Sequence, residues 1–321
     1  MRALQITELT GPDGIKAVDI PAPEPDGNGV LIDVEAAGVS FPDVLMTRGL
    51  YQYKPDPPFT PGAEVAGTVK SAPESTGLKT GDRVMAFTMG GFQEQVLAPY
   101  FTAFKVPDNL SIEQAAGFPM NYHTAHFSLH HRGNLKEGET VLVHGAAGGV
   151  GTATLQVAKG AGAKTIAVVS SDAKDEVARK AGADEVVRSG GEWLKDVKAL
   201  TNGRGVDIVM DPVGGDRFLD SVRSLAPLGR LLVVGFTEGN IPSIAVNRLL
   251  LKNVSVVGVA WGAYVLDKPD LCAEIGADLE RLTKEGYTEP IIDRVYPFEE
   301  GADAVRRIDE RGVLGKVVIK F

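Results

Sequence analysis

Residues 140–172 read TVLVHGAAGGVGTATLQVAKGAGAKTIAVVSSD, and this stretch decides the fold. An apolar run, Val141–Val143, ends in a glycine-rich turn from Gly145 to Gly151. A stretch of helical period follows, with Val150, Leu155, Val157 and Ala158 as its candidate buried side, and then a second β-branched run, Thr165–Val169. Strand, tight turn, helix and strand in that order make half of a dinucleotide-binding fold. Gly148 and Gly149 let the backbone approach a pyrophosphate, and Gly151 lets the helix pack closely on the strand. The helix N-terminus then offers N–H groups and the positive end of its dipole to the phosphates. Ala147, Gly148, Gly149 and Val150 are the candidate phosphate-binding set. The G-x-G-x-x-G pattern reads here Ala146-x-Gly148-x-x-Gly151, with alanine in first place.

Working outward, residues 1–110 are β-rich. Strands are expected at Arg2–Ile6, Val30–Ala36, Glu64–Val69, Arg83–Phe87 and Phe92–Ala98, punctuated by Pro and Gly in the manner of an irregular barrel. Ser111-x-x-Gln114 is a capping-box pattern that opens a helix, with a break near Gly117–Pro119 and a second helical segment through Tyr122–His131. From Glu139 strands and helices alternate, which predicts a parallel, doubly wound sheet. Its later members are strands at Glu185–Val187, Val206–Met210, Arg230–Phe236 and Val254–Val259. A helix over 269–285, a run Ile291–Val295, a helix over 301–310 and a strand Lys316–Phe321 close the chain, free to return to the first domain.

Composition narrows the class. A chain of 321 residues with 44% hydrophobic and 23% charged residues is long enough for two domains and reads as soluble and globular. A net charge of −9 argues against nucleic acid or an anionic membrane as the main partner. No apolar stretch approaches a membrane span, and MRALQITELTGPDG contains no signal-peptide core, so a cytoplasmic location is expected. Cys272 is the only cysteine, which rules out an internal disulfide and a cysteine-based zinc cluster.

With these pieces in place the chain resembles a family. VLVHGAAGGVG, VDIVMDPVGG, GRLLVVGF and the closing GKVVIKF, behind a β-rich N-terminal part, are similar to the medium-chain dehydrogenase/reductase superfamily. AAGVSFPDVLMTRGLY and PFTPGAEVAGTV resemble its NADPH:quinone oxidoreductase, zeta-crystallin-like branch. The resemblance implies an α/β protein: a GroES-like β-barrel catalytic domain plus a doubly wound parallel-sheet Rossmann domain. The expected boundaries are 1–120 and 260–321 for the catalytic domain and 121–259 for the NADP-binding domain. It also implies a cleft for nicotinamide and substrate, and a homodimer paired through the strand Val254–Val259.

Zinc-dependent members of that superfamily hold a catalytic metal with a Cys after the AAG-type turn and a His in a Gly-His-Glu motif. The matching residues are Ser40 and Ala63, and a hydroxyl and a methyl do not make a zinc site. His126 and His130 stand at i, i+4 and read as surface or cleft-wall residues, so no metal is expected. Without a Lewis acid, an electron-poor acceptor such as a quinone or a conjugated carbonyl suits direct hydride transfer better than an alcohol does.

An NAD-specific fold places an acid at the end of the second strand for the ribose hydroxyls. Here that end reads Val169-Ser170-Ser171; Asp172 comes late and reads as the N-cap of the next helix. Lys174 matches a lysine that contacts the 2′-phosphate in NADPH-using relatives, and Arg188 is a second candidate cation, followed by Ser189 where relatives often carry an adenine-side Tyr. NADPH is therefore the expected cofactor. The resemblance adds Asn121 and Thr124 beside the nicotinamide, Gly235 and Phe236 as backbone contacts, and Ser40 and Tyr51 as catalytic candidates. Trp261 and Tyr264 read as core before pocket.

These features point to NADPH-dependent reduction of a quinone. Two alternatives stay open: reduction of the C=C bond of an enal, enone or enoyl thioester, and a non-catalytic NADPH-binding protein.

Overall fold

In the computed structural model, which describes residues 1–321 with the side chain of Asp267 excepted, the chain divides into two units. The first comprises Met1–Asn121, Lys268–Glu280 and Pro290–Phe321; the second comprises Tyr122–Asp267 and Arg281–Glu289.

The chain opens with β1 (Arg2–Ile6) and β2 (Ile15–Asp19), an antiparallel pair of their own. β3 (Gly29–Val39) is the spine of the first unit, and its side chains are buried along most of its length. α1 (Phe41–Met46) follows at once, in a stretch with no element expected from the sequence. The helix forms because Pro42 falls in its first turn, where no amide partner is needed, and Asp43 accepts from the backbone N of Ser40 at 2.8 Å. β4 (Glu64–Ser71), β5 (Arg83–Phe87), β6 (Gln95–Pro99) and β7 (Ala103–Lys105) complete the N-terminal strands. α2 (Ile112–Ala116) begins with the expected capping box: Gln114 N donates to Ser111 Oγ at 3.2 Å and Ser111 N to Gln114 Oε1 at 2.9 Å.

α3 (Pro119–His126) runs on into a π-helical turn, Phe127–Arg132. The alternating part then contains β8 (Thr140–His144), α4 (Gly149–Gly160), β9 (Lys164–Val169), α5 (Asp172–Lys180), β10 (Glu185–Arg188) and α6 (Trp193–Leu200). It continues with β11 (Val206–Asp211), α7 (Phe218–Ser224), β12 (Leu225–Val233), α8 (Asn247–Lys252) and β13 (Ser255–Gly258). β12 begins earlier than the expected Arg230, because Leu225 already pairs with Val206 before a bulge. It ends at Val233 because the chain then turns to the 211–213 loop, with Thr237 N on Pro212 O at 3.2 Å and Glu238 N on Val213 O at 3.0 Å. α9 (Trp261–Tyr264), α10 (Pro269–Lys284), β14 (Ile292–Pro297), α11 (Gly301–Asp309) and β15 (Lys316–Lys320) close the chain.

The second unit carries a six-stranded parallel sheet in the order β10-β9-β8-β11-β12-β13, the doubly wound arrangement in which ligands gather at the carboxyl ends of the strands. Its core includes Leu142, Ile166, Val168, Val209 and Leu231. The first unit carries a seven-stranded sheet, β14-β15-β3-β4-β5-β7, with β6 also on β3. Ile32, Val39, Val65, Val96, Val317 and Ile319 fill it.

The expected boundary at 260 needs correction. Residues 260–267 stay with the second unit, where Trp261 stacks on His123 at 5.4 Å and meets Phe127 at 5.8 Å between ring centroids. Arg281–Glu289 does likewise: Gln156 Nε2 donates to Glu289 O, and Glu289 N to Gln156 Oε1, both at 2.8 Å. Trp261 is core, as expected, whereas Tyr264 is half exposed at 52%. Among the described residues no helix is long and apolar enough to cross a membrane.

His144 ends β8 fully buried, with Nε2 2.8 Å from Ser221 Oγ. Burial, aided by the Arg217 charge, pushes its pKa down to about 3. The unfolded chain binds this proton below an ordinary value near 6.5 and the folded chain refuses it. Stability from this residue is therefore complete above pH 6.5 and is lost as pH falls toward 3, by about 1.4 kcal/mol per pH unit. His144→Asn should flatten the pH dependence of urea-unfolding free energy between pH 6.5 and 5 by about that slope, whatever it costs at pH 7. An unchanged slope would show that His144 is not the group that titrates.

Candidate active site

The glycine-rich turn sits at the carboxyl end of β8. Gly145 adopts φ +57°, a left-handed conformation that suits glycine, so the strained position lies one residue before Ala146. Ala146 has no such demand and is buried as part of the core, which explains why alanine serves in the motif's first place. A Cβ on Gly151 would lie 2.2 Å from Gly145 O and 2.7 Å from Ala146 Cα, so helix α4 approaches β8 as closely as backbone allows. Gly148 is the N-cap of α4 with no side-chain cap, and Thr152 N, on Gly148 O at 2.9 Å, closes the first turn. The amides of Gly149, Val150 and Gly151 precede that bond and have no partner within the helix, as the first N–H groups of any helix do.

Beside it, at the end of β9, Lys174 Nζ donates to Ser170 Oγ at 3.2 Å. Ser171 is the N-cap of α5: its Oγ accepts from Lys174 N at 3.4 Å, so the cap is not Asp172, which is the first helical residue. Serine and aspartate both cap well, and only the backbone geometry at Ser171, φ −152° and ψ 167°, decides between them. Arg188 ends β10 level with Val169 and is held by Ser171 O, Asp172 and Asp175. Ser170, Ser171, Lys174 and Arg188 are thus neighbours, with the carboxylates of Asp172 and Asp175 among them. Gly235 and Phe236 follow β12, with the Phe236 ring closing over Gly214. Asn121 and Thr124 lie three apart on α3, both buried; Asn121 Nδ2 reaches Gly117 O at 3.4 Å. Tyr122 is a packing residue: its hydroxyl donates to Gln156 Oε1 at 2.6 Å, and burial raises its pKa well above the ordinary value.

The first unit contains a cluster of a different kind. Lys316 on β15 is 3% exposed and is paired with the fully buried Glu64 at the start of β4. Lys316 Nζ also donates to Ser40 Oγ at 2.7 Å, and Ser40 Oγ donates to Glu64 Oε1 at 3.3 Å. Glu64 Oε2 accepts from Met120 N at 2.8 Å. Next to them Asp43 accepts from Ser40 N at 2.8 Å and Gly62 N at 3.0 Å, and burial pushes its pKa up to about 6. Tyr51 is half-buried against the same core, and its hydroxyl has no hydrogen-bond partner among the described residues. Burial and then the Asp43 charge raise its pKa, so the phenol stays protonated at neutral pH.

Ser40 and Tyr51 therefore differ. The Ser40 proton is committed to Glu64 and one of its lone pairs to Lys316, whereas Tyr51 has a proton to offer. The donor set does not fit a zinc ion: Ser40 presents a hydroxyl, Ala63 a methyl, and both oxygens of Glu64 already accept from nitrogen donors. His126 and His130 come together with ring centroids 4.4 Å apart, but His126 is buried rather than at the surface. Glu64, Asp43 and Lys316 escaped the sequence reading; for Glu64 and Lys316 the available signal was a charged residue directly before an apolar run, in GAEVAG and GKVVI.

Removing one member of a buried ion pair leaves the other uncompensated, at a cost of about 3–5 kcal/mol. Lys316→Met should lose about that much unfolding free energy. Glu64→Gln combined with Lys316→Met should recover part of it, since the stranded charge is gone. A loss below about 1 kcal/mol in the single variant would show the pair to be solvated.

The family model described as "Alcohol dehydrogenase GroES-like domain" matches residues 26–108, and that described as "Zinc-binding dehydrogenase" matches residues 149–277. The latter range contains neither Ser40 nor Ala63. Quinone oxidoreductase-like protein 2 of Rattus norvegicus is 40% identical over 325 residues, covering 100% of this chain and 92% of the relative. A probable oxidoreductase from Mycobacterium abscessus superposes with a TM-score of 0.91 at 46% identity, covering 100% of this chain and 99% of the other. A mycobacterial protein complexed with NADPH superposes with a TM-score of 0.92 at 32% identity, covering 100% of both chains. The protein described here, with a GroES-like unit and a Rossmann unit, belongs to the medium-chain dehydrogenase/reductase superfamily, in its quinone oxidoreductase branch.

Proposed function

We propose that the protein is a zinc-independent, NADPH-dependent oxidoreductase that reduces a quinone. The observation that carries this reading is the end of β9. Where an NAD-specific fold has a carboxylate, this chain has the Ser170 hydroxyl bonded by Lys174 Nζ at 3.2 Å. A hydroxyl and a cation suit a 2′-phosphate, and the amides of residues 149–151 suit the pyrophosphate. The mycobacterial relative complexed with NADPH supports the same cofactor, and the rat quinone oxidoreductase-like relative supports the acceptor class.

When bound, the nicotinamide supplies the hydride. The chain's own part is to bind, orient and hydrogen-bond. Tyr51, with its uncommitted and protonated phenol, donates to the substrate oxygen on which charge develops. Ser40, its proton turned to Glu64, serves as an acceptor and as a support for Lys316. Such a site favours acceptors that need no metal to polarise them.

We assign the protein to the cytoplasm and expect a homodimer. β13 is the open edge of the parallel sheet, and Leu250 and Leu251 on the preceding helix are 75% and 79% exposed, a surface suited to its two-fold mate.

The test is NADPH oxidation across quinones, enals, enones and acyl thioesters, with NADH in parallel. Turnover with quinones at the highest kcat/KM supports the reading; turnover confined to conjugated alkenes, or none at all, contradicts it. Lys174→Ala removes a charge-assisted contact worth about 1.5–3 kcal/mol. The KM for NADPH should then rise about ten-fold or more, while the NADH values and kcat change little. Equal weakening of both cofactors would mean that Lys174 orders the loop rather than meeting a phosphate.

A further inference from the structure

Arg188 is not a free cation. Its guanidinium donates to Ser171 O, to Asp172 Oδ1 at 2.6 Å and to Asp175 Oδ2 at 3.1 Å. Parallel pairing sets Arg188 level with Val169, so this arrangement stands directly beside Ser170 and Lys174. The two carboxylates are not equivalent. Asp175 is partly buried and also accepts from Arg179 Nε at 2.6 Å, so it is fixed from both sides. The Asp172 side chain is 98% exposed and touches the cluster through Arg188.

We infer that Asp172 is a specificity-determining residue that occupies Arg188 in the absence of a 2′-phosphate and so limits the preference for NADPH over NADH. The inference rests on the proposed NADPH reading and adds what sets the degree of selectivity. A 2′-phosphate dianion arriving at Ser170 and Lys174 has the Arg188 guanidinium, bonded to the neighbouring Ser171 O, as a further cation beside it. Both hydrogens of Arg188 Nη2 are taken by Asp172 and Asp175, so a phosphate that binds this nitrogen displaces the more exposed Asp172 carboxylate, which is also a like charge. A ribose 2′-hydroxyl needs no such exchange and meets an exposed carboxylate as a possible acceptor. The protein therefore tolerates both cofactors, with selectivity lower than two serines, a lysine and an arginine would give unopposed. Exposed ion pairs are weak, which keeps the exchange easy and fixes the expected size of the effect.

The experiment is calorimetric binding of 2′,5′-ADP and 5′-AMP to the wild type, Asp172→Asn, Arg188→Met and the double variant, with no turnover needed. Asp172→Asn should tighten 2′,5′-ADP roughly five-fold, the scale of one exposed ion pair, and leave 5′-AMP within about two-fold. In the Arg188→Met background most of that gain should vanish, because the gain acts through the released guanidinium. Asp172→Ser, which keeps a competent first helical turn, should reproduce the result and exclude damage to α5. Unchanged or weakened 2′,5′-ADP binding in Asp172→Asn would overturn the inference, as would a gain that persists undiminished without Arg188. If the wild type and Asp172→Asn both bind 2′,5′-ADP no more tightly than 5′-AMP, the NADPH reading itself fails. If the wild type separates the two ligands and Asp172→Asn changes nothing, only the present inference fails.

Discussion

A buried ammonium–carboxylate pair, Lys316 with Glu64, is the constraint on which the first unit depends. Its members begin β15 and β4, and between them in the sheet lies β3. The pair fastens the last strand of the chain to the N-terminal barrel and brings in Ser40 at the start of α1 and Met120 at the start of α3. Such a pair is weak evidence for stability in itself, since desolvation offsets most of its attraction; its value lies in specifying one arrangement of four elements. By resemblance, this is also where zinc-dependent relatives keep a metal. Here the positive charge is an ammonium on a side chain, which has no open coordination position.

That substitution shapes the chemistry proposed for the site. An ammonium shared between a carboxylate and a serine hydroxyl holds its neighbours in place but does not polarise a substrate carbonyl as a Lewis acid would. In the proposed reaction the burden of stabilising a developing oxyanion then falls on ordinary donors, among them Tyr51, whose hydroxyl has no hydrogen-bond partner among the described residues. The second unit follows a simpler logic. The left-handed Gly145 and the side-chain-free Gly151 let α4 begin against β8, with its first N–H groups left without helical partners. β9 and β10, in parallel register, then set Ser170, Lys174 and Arg188 around the neighbouring strand end.

The second unit was the more legible in sequence, because its determinants are local. The turn at 145–151 and the alternation of strand and helix are each written within a few consecutive residues. What sequence concealed depends on distant partners. Nothing near Lys316 announces Glu64, and nothing near Arg188 announces that Asp172 and Asp175 hold it. α1 was hidden because it is short and its start is fixed by Asp43 accepting from Ser40 N at 2.8 Å. The return of 260–267 and 281–289 to the second unit was hidden for the same reason: it is decided by Trp261 packing on Phe127 and by Gln156 bonding Glu289. The partners of Ser40 were hidden in the same way: sequence offered it as a catalytic candidate, and only the fold brings Glu64 and Lys316 to its hydroxyl.

With the Lys316–Glu64 pair in place of a metal, the proposed hydride transfer should proceed without one. The most direct measurement is a single-turnover stopped-flow experiment on chelator-treated, zinc-free protein, mixing NADPH deuterated at the transferred position with a quinone. The account predicts cofactor oxidation at the rate of untreated protein and a primary deuterium isotope effect. Oxidation that appears only when zinc is restored would contradict it.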